Sequence, residues 1–136
     1  MLKLVLDTNV FISGIIFGGN ARTILNLIIQ GKLKLYISDE ILSELKDVLQ
    51  RDKFGFPLKN IYHILNEIDL ISELVSPTFH HNIVERDPKD NIVIDCAVAA
   101  GVDYIITGDH DLLEMKVFGN IKIISPAGFI KAIRLQ

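Results

Sequence analysis

The chain of 136 residues has a single cysteine, Cys96, which excludes an intrachain disulfide and makes a reducing compartment the natural setting. No apolar run of about 18 residues passes without a charge, so no transmembrane helix is expected. The opening run Met1 to Leu6 meets Asp7 too soon for a signal-peptide core, and no small-residue cleavage site follows it. Aromatic residues make up only 7%, and they nowhere interleave with basic residues as in a single-strand-binding stripe. Basic excess is also missing: 14 Lys and Arg against 17 Asp and Glu give −3, which argues against holding nucleic acid by bulk charge. Repeats, low-complexity tracts and linkers are absent, so residues 1–136 are expected to form one domain. What is present is apolar mass. A hydrophobic fraction of 49% with 23% charged residues rules out disorder and permits a well-filled core. A soluble, cytoplasmic domain with no membrane association is expected.

Short β-branched runs alternate with helical patterns. Leu4 to Leu6, Leu33 to Ile37, Tyr104 to Thr107 and Ile121 to Ile124 read as strands, with Glu73 to Val75 a weaker one. Arg22 to Gln30 reads as a helix stopped by Gly31. Another runs from Asp39 to about Gln50, with Ser38 as N-cap and acids in its first turn. Pro57 opens a third at its N1 position, running to about Leu70. Asp87-Pro88-Lys89-Asp90 supplies an N-cap, an N1 proline and an acidic N3 residue for a helix closed by Gly101. Pro126 to about Ile133 forms a final short helix. Strands separated by helices at this spacing predict an α/β fold, a central parallel sheet covered on both faces.

In such a sheet, ligands sit beyond the carboxyl ends of the strands, where strand order reverses. Two strands end in acids there: Leu6-Asp7-Thr8-Asn9 and Thr107-Gly108-Asp109. If those strands are neighbours, Asp7 and Asp109 face one crevice. The plainer reading makes both acids turn and cap residues, with Asp111 able to replace Asp109. On the Asp39 helix, Ile41, Leu42, Leu45, Val48 and Leu49 form an apolar stripe, and Glu44 falls about 90° from its centre. That places Glu44 at the rim of the buried face, with Glu40 and Asp47 on the wet side. Asp90 serves the helix start electrostatically and can also be aimed into the crevice. Asp95 lies about 140° round the same helix, so the two do not share a site.

The segments Leu4 to Val10, Ser38 to Leu45, Asp87 to Asn91 and Ile105 to Leu113 resemble, in order, the motifs of the PIN domain, and most closely its toxins from prokaryotic toxin–antitoxin pairs. The resemblance implies a three-layer α/β/α sandwich and a metal-dependent ribonuclease. It places the family's four acids on Asp7, Glu44, Asp90 and Asp109, with Asp111 a further acid common in that subfamily. Asn9 and Thr107 match positions that support the site by hydrogen bonding. A toxin role implies an RNA substrate, a cognate antitoxin and commonly a homodimer. The helix after Pro57, with Ile61, Ile64, Leu65 and Ile68, offers a contact surface, although a core-facing amphipathic helix is the preferred reading.

The chemistry agrees. One or two Mg²⁺ or Mn²⁺ ions can activate water, polarise a phosphoryl oxygen and stabilise the leaving oxygen, and such hard cations want carboxylate ligands. Zinc is disfavoured, because one cysteine and the histidines His63, His80, His81 and His110 form no zinc spacing. His80 and His81 read as a solvated loop pair and His110 as an exposed turn residue. Candidates for gripping RNA are Arg22, Lys32, Arg51, Lys53, Arg86 and Lys89, against a plain solubilising role. Phe11, Phe17 and Phe54 could stack on bases, although core packing is the commoner use of aromatics. Two alternatives stand beside the nuclease. A haloacid-dehalogenase-like phosphotransferase uses an aspartyl nucleophile at a strand end, but wants a second Asp where this chain has Asn9. The other is a PIN-like module acting in RNA processing or binding partners only.

Overall fold

In the computed structural model, which describes residues 1–82 and 88–134, the apolar run ahead of Asp7 forms the central strand, β1 (Lys3–Leu6). On either side of it, in parallel, lie β2 (Lys34–Ile37) and β4 (Tyr104–Ile106). Outside these, β3 (Ser72–Leu74) pairs with β2 and β6 (Ile121–Ile124) with β4, again in parallel. The two-residue β5 (Val117–Phe118) closes the far edge, antiparallel to β6. The order β3-β2-β1-β4-β6-β5 reverses direction between β1 and β4, the expected place for a ligand crevice.

Consecutive residues Leu4, Val5 and Leu6 are fully buried, as are Ile105 and Ile106. Because neighbours on a strand point to opposite faces, both faces of the sheet must be covered. The cover is the expected α/β/α sandwich. Helix α5 (Pro88–Ala100) lies across β2, β1 and β4, and α3 (Asp39–Leu49) packs beside it. Helices α1 (Thr8–Ile12), α2 (Gly19–Ile29) and α7 (Pro126–Arg134) build a connected group in which α2 contacts both others, and α4 (Leu58–Ile71) sits by α3 and β3. The Ser38 hydroxyl accepts from the Ile41 amide at 3.3 Å, capping α3 as its sequence requires. Among the described residues no single helix is long and apolar enough to cross a membrane.

Several local features depart from the sequence expectation. A helix follows Asp7 at once, α1 continuing as a π-helical stretch through Phe17, where no helix was expected. Its residues are apolar on nearly every side, so no 3.6-residue contrast marks it. Gly18 and Gly19, with φ of 84° and 68°, then turn the chain, and α2 begins at Gly19 rather than Arg22. Pro57 is the N-cap of α4 rather than its first residue, because its ψ of 147° is extended. Ile61 and Ile68 of α4 are buried, which favours the core-facing reading of that helix. The six-residue helix α6 (His110–Met115) and the β5 edge strand are too short for periodicity to reveal. The N-cap expected at Asp87 lies outside the described residues.

The π-helical stretch after α1 is held against α2 by a close crossing at Gly14. A side-chain carbon there would stand 2.6 Å from Leu25 Cδ1 and 3.2 Å from the Ala21 backbone. Gly14→Val is therefore expected to destabilise the fold by about 1–3 kcal/mol through overpacking, measured by urea unfolding. An unchanged midpoint would show that this crossing is not tight.

Candidate active site

The pairing of β1 with β4 sets Leu6 beside Ile106, and the ladder continues one step further: the Asp7 amide donates to the Ile106 carbonyl at 3.0 Å. That register puts Thr107 next to Asp7. The Thr107 hydroxyl donates to Asp7 Oδ2 at 2.8 Å and accepts from the Asp109 amide at 2.9 Å. One fully buried hydroxyl thus orients a carboxylate from one strand and the backbone carrying the acid of the next. The two strand-end acids thus share Thr107, and Asp109 is also a cap: its Oδ1 accepts from the Leu112 amide of α6 at 3.2 Å.

Asp90, buried in the first turn of α5, completes the convergence. One carboxylate oxygen each from Asp90, Asp109 and Asp111 lie within 4.8 Å of one another. Asp111, in the first turn of α6, belongs to this group as firmly as Asp109, the N-cap of that helix. Asp7 is only 6% exposed, and burial raises its pKa above the usual carboxylate value. The Thr107 hydroxyl and the Asn9 and Thr8 amides act against that rise, while the charge of Asp109 adds to it. Asn9 is itself exposed, so its contribution to Asp7 is a backbone amide rather than its side chain.

The donor set suits a hard divalent cation. Oxygens that bind one ion at roughly 2.0–2.6 Å stand no more than about 5 Å apart, which the three aspartates satisfy. No histidine or cysteine joins this group among the described residues, so it is a poor zinc site. Cys96 is no nucleophile: burial pushes its thiol up to about 12.

Glu44 is half-buried, as its rim position requires, while Glu40 and Asp47 are exposed. It stands apart from the aspartate trio, in a cleft of about 470 Å³ shared with Lys89 and Arg51 between α3 and α5. Lys89 is therefore near the acids, whereas Arg22 lines a separate cleft between α2 and α4. Arg86 lies outside the described residues. The histidines need one correction. His80 is exposed, but His81 is not a solvated loop residue: its amide and its Nδ1 both reach Asp95 Oδ1 at 2.6 Å. Its ring also meets the edges of Phe79 and Phe118. A buried Asp95 facing away from Asp90 needs such a partner, and the sequence offered only the bare His-His pair as a signal. His110 is exposed as expected, 2.8 Å from Glu114.

Comparison with known proteins agrees with this geometry. Residues 3–111 match the family model described as a PIN domain. An uncharacterized protein of Methanocaldococcus jannaschii is 36% identical over 119 residues, spanning 85% of this chain and 76% of that protein. Among solved structures, VapBC2 from Rickettsia felis, bound to a DNA fragment from its promoter, superposes with a TM-score of 0.63 at 15% identity. That match covers 91% of this chain and 98% of the other. A Pyrobaculum aerophilum protein, PAE2754, gives 0.60 at 11% identity over 99% and 98%. The PIN domain of T. brucei RRP44 gives 0.54 at 12% over 98% and 80%. At such identities the solved structures speak for the fold.

Two outcomes follow from the buried Asp7 and its Thr107 partner. Because the folded pKa of Asp7 is raised, its ionisation costs stability that is intact below the unfolded value of about 3.9 and lost as pH rises through the folded one. In chelator, Asp7→Asn should therefore melt higher than wild type near neutral pH, with the gain vanishing below about pH 4; a pH-independent difference would contradict this. Thr107→Val conserves volume but removes a buried donor and acceptor together. It should cost about 1–3 kcal/mol in urea unfolding, with Thr107→Ser recovering most of the loss.

Proposed function

Since the chain belongs to the PIN domain family, whose members are typically metal-dependent nucleases, we propose that it hydrolyses RNA phosphodiester bonds. The observation that carries this reading is the convergence of Asp90, Asp109 and Asp111 at the β1/β4 switch, with Asp7 hydrogen-bonded beside them. Asp90, Asp109 and Asp111 would hold a divalent ion, Mg²⁺ or Mn²⁺, with Asp7 as a further ligand and Glu44 reaching in from α3. When bound, one or two such ions supply an activated water and charge neutralisation at the phosphate.

The chain's own residues do the positioning. Thr107 fixes the Asp7 carboxylate and, through the Asp109 amide, the start of α6. Sheet and helix ends are rigid supports, so the acids need little reorganisation when substrate arrives. Lys89, one residue before Asp90, offers a cation to a phosphate entering over α5. Asn9 in place of a second acid speaks against the aspartyl phosphotransferase.

The likeness to the VapBC2 fold supports the finer proposal that the chain is the toxin of a toxin–antitoxin pair, with a cognate antitoxin and a homodimeric form. Induced expression should arrest growth, with rescue by a neighbouring gene product, and light scattering should give twice the chain mass. A role in RNA processing is the second reading, favoured by the likeness to the RRP44 PIN domain.

The decisive experiment is cleavage of defined single-stranded and hairpin RNAs with Mn²⁺ or with chelator, beside a generic phosphomonoester. Mn²⁺-dependent RNA cleavage is expected, with Asp7→Asn, Glu44→Gln and Asp90→Asn each losing more than the roughly 10- to 100-fold typical of outer-shell partners. Equal activity in chelator, or full activity in the Asp90 and Glu44 variants, would overturn the assignment.

A further inference from the structure

Next to the acids, but distinct from them, a cleft of about 590 Å³ opens between the first helical segment and the turn after α3. Its size suits one small ligand or about one nucleotide unit. Asn9, two residues beyond Asp7, lines its inner end. Phe17, Arg51, Lys53, Phe54 and Phe56 line it together with Ile12, Ser13, Ile16 and Val48, and no acidic residue does among those described. In a chain whose formal charge is −3, this is a local inversion of sign.

Three aromatic rings border that cleft. Phe17 is 76% exposed, an apolar surface with little packing of its own to perform. The Phe54 and Phe56 rings are stacked with centroids 6.3 Å apart, and Lys53 Nζ stands 5.0 Å above the Phe54 ring. Flat apolar faces flanked by cations are what a polyanion with unpaired bases requires: rings stack on bases and cations meet phosphates. A greasy protein segment would gain little from Arg51 and Lys53, and a duplex keeps its bases stacked and out of reach.

The cleft also runs on toward the acids. Val48 and Arg51 border both it and the neighbouring cleft lined by Asp39, Glu40, Glu44, Asp47 and Lys89, so the two grooves meet at the end of α3. Arg51 stands at that junction. A strand lying across it would pass from the aromatic rings to the helix that carries Asp90.

We propose that this cleft seats an unpaired base of a single-stranded RNA flanking the scissile phosphate, with Phe17 as the stacking face and Arg51 and Lys53 as phosphate contacts. The choice of RNA rests on the ribonuclease reading above. The test is fluorescence anisotropy of a short unstructured RNA and of a hairpin stem, both in chelator so that binding is separated from cleavage. Wild type should prefer the single strand. Phe17→Ala should weaken it roughly 5-fold or more, within the range of base–aromatic stacking, and Phe17→Tyr should not. Arg51→Ala should lower the slope of log affinity against log salt by about 0.7, the value for one phosphate on a single strand. Phe17 is exposed and Arg51 lies on the surface, so neither change threatens folding, which circular dichroism checks. Failure of wild type to bind single-stranded RNA, or no change in affinity and slope in these variants, would overturn the proposal; the second is also the result if the cleft seats a protein segment. Loss of the nuclease reading alone would appear as this binding pattern without Mn²⁺-dependent cleavage.

Discussion

The structure turns on one buried hydroxyl. Thr107 Oγ1 stands between Asp7 and the amide of Asp109, at the point where two central parallel strands end and strand order reverses. A carboxylate this deep is costly without partners. The site therefore depends on the strand register, which delivers Thr107 opposite Asp7. A slip of one residue would turn that hydroxyl to the other face of the sheet and leave the acid facing apolar side chains. The same hydroxyl ties α6 to the strand end, so the helix carrying Asp111 inherits its placement from a contact made inside the sheet.

Much of this was legible in the chain itself, for physical reasons that differ by element. The strand before Asp7 and the amphipathic α3 are strong periodic signals, and Glu44 lies at the rim where its wheel position places it. The adjacency of β1 and β4 is not local information, but the acids at both strand ends made it testable. Asp90 needed both a cap pattern and the direction of its helix. The helix following Asp7 carries no periodic signal, because a segment apolar on nearly every side has little contrast. The burial of His81 is not legible along the chain, because nothing in its neighbourhood reveals Asp95, which tertiary packing brings to it from 14 residues away.

Charge distribution explains how a mildly acidic chain can still be read as an enzyme of nucleic acid. The acids that matter are gathered beyond the strand ends, where a divalent ion would neutralise them, and without them the rest of the chain is close to balance. Around them the cations are few and placed: Lys89 on α5 beside Asp90, Arg51 and Lys53 in the turn after α3. Such an arrangement favours contacts at chosen phosphates over a general grip, and its binding should be weak away from the site.

The outermost strands carry a different consequence. A sheet with open margins is a template for pairing with further chains. Here one margin is the three-residue β3, whose Glu73 is held 3.0 Å from Lys34 of the adjoining strand. The other is the two-residue β5, folded back antiparallel on β6 beyond Lys116, whose φ is 63°. Short, charged or reversed margins give an incoming strand few free backbone groups to join. The buried parallel centre, apolar and rich in β-branched residues, is thereby shielded from edge-to-edge growth in the folded protein.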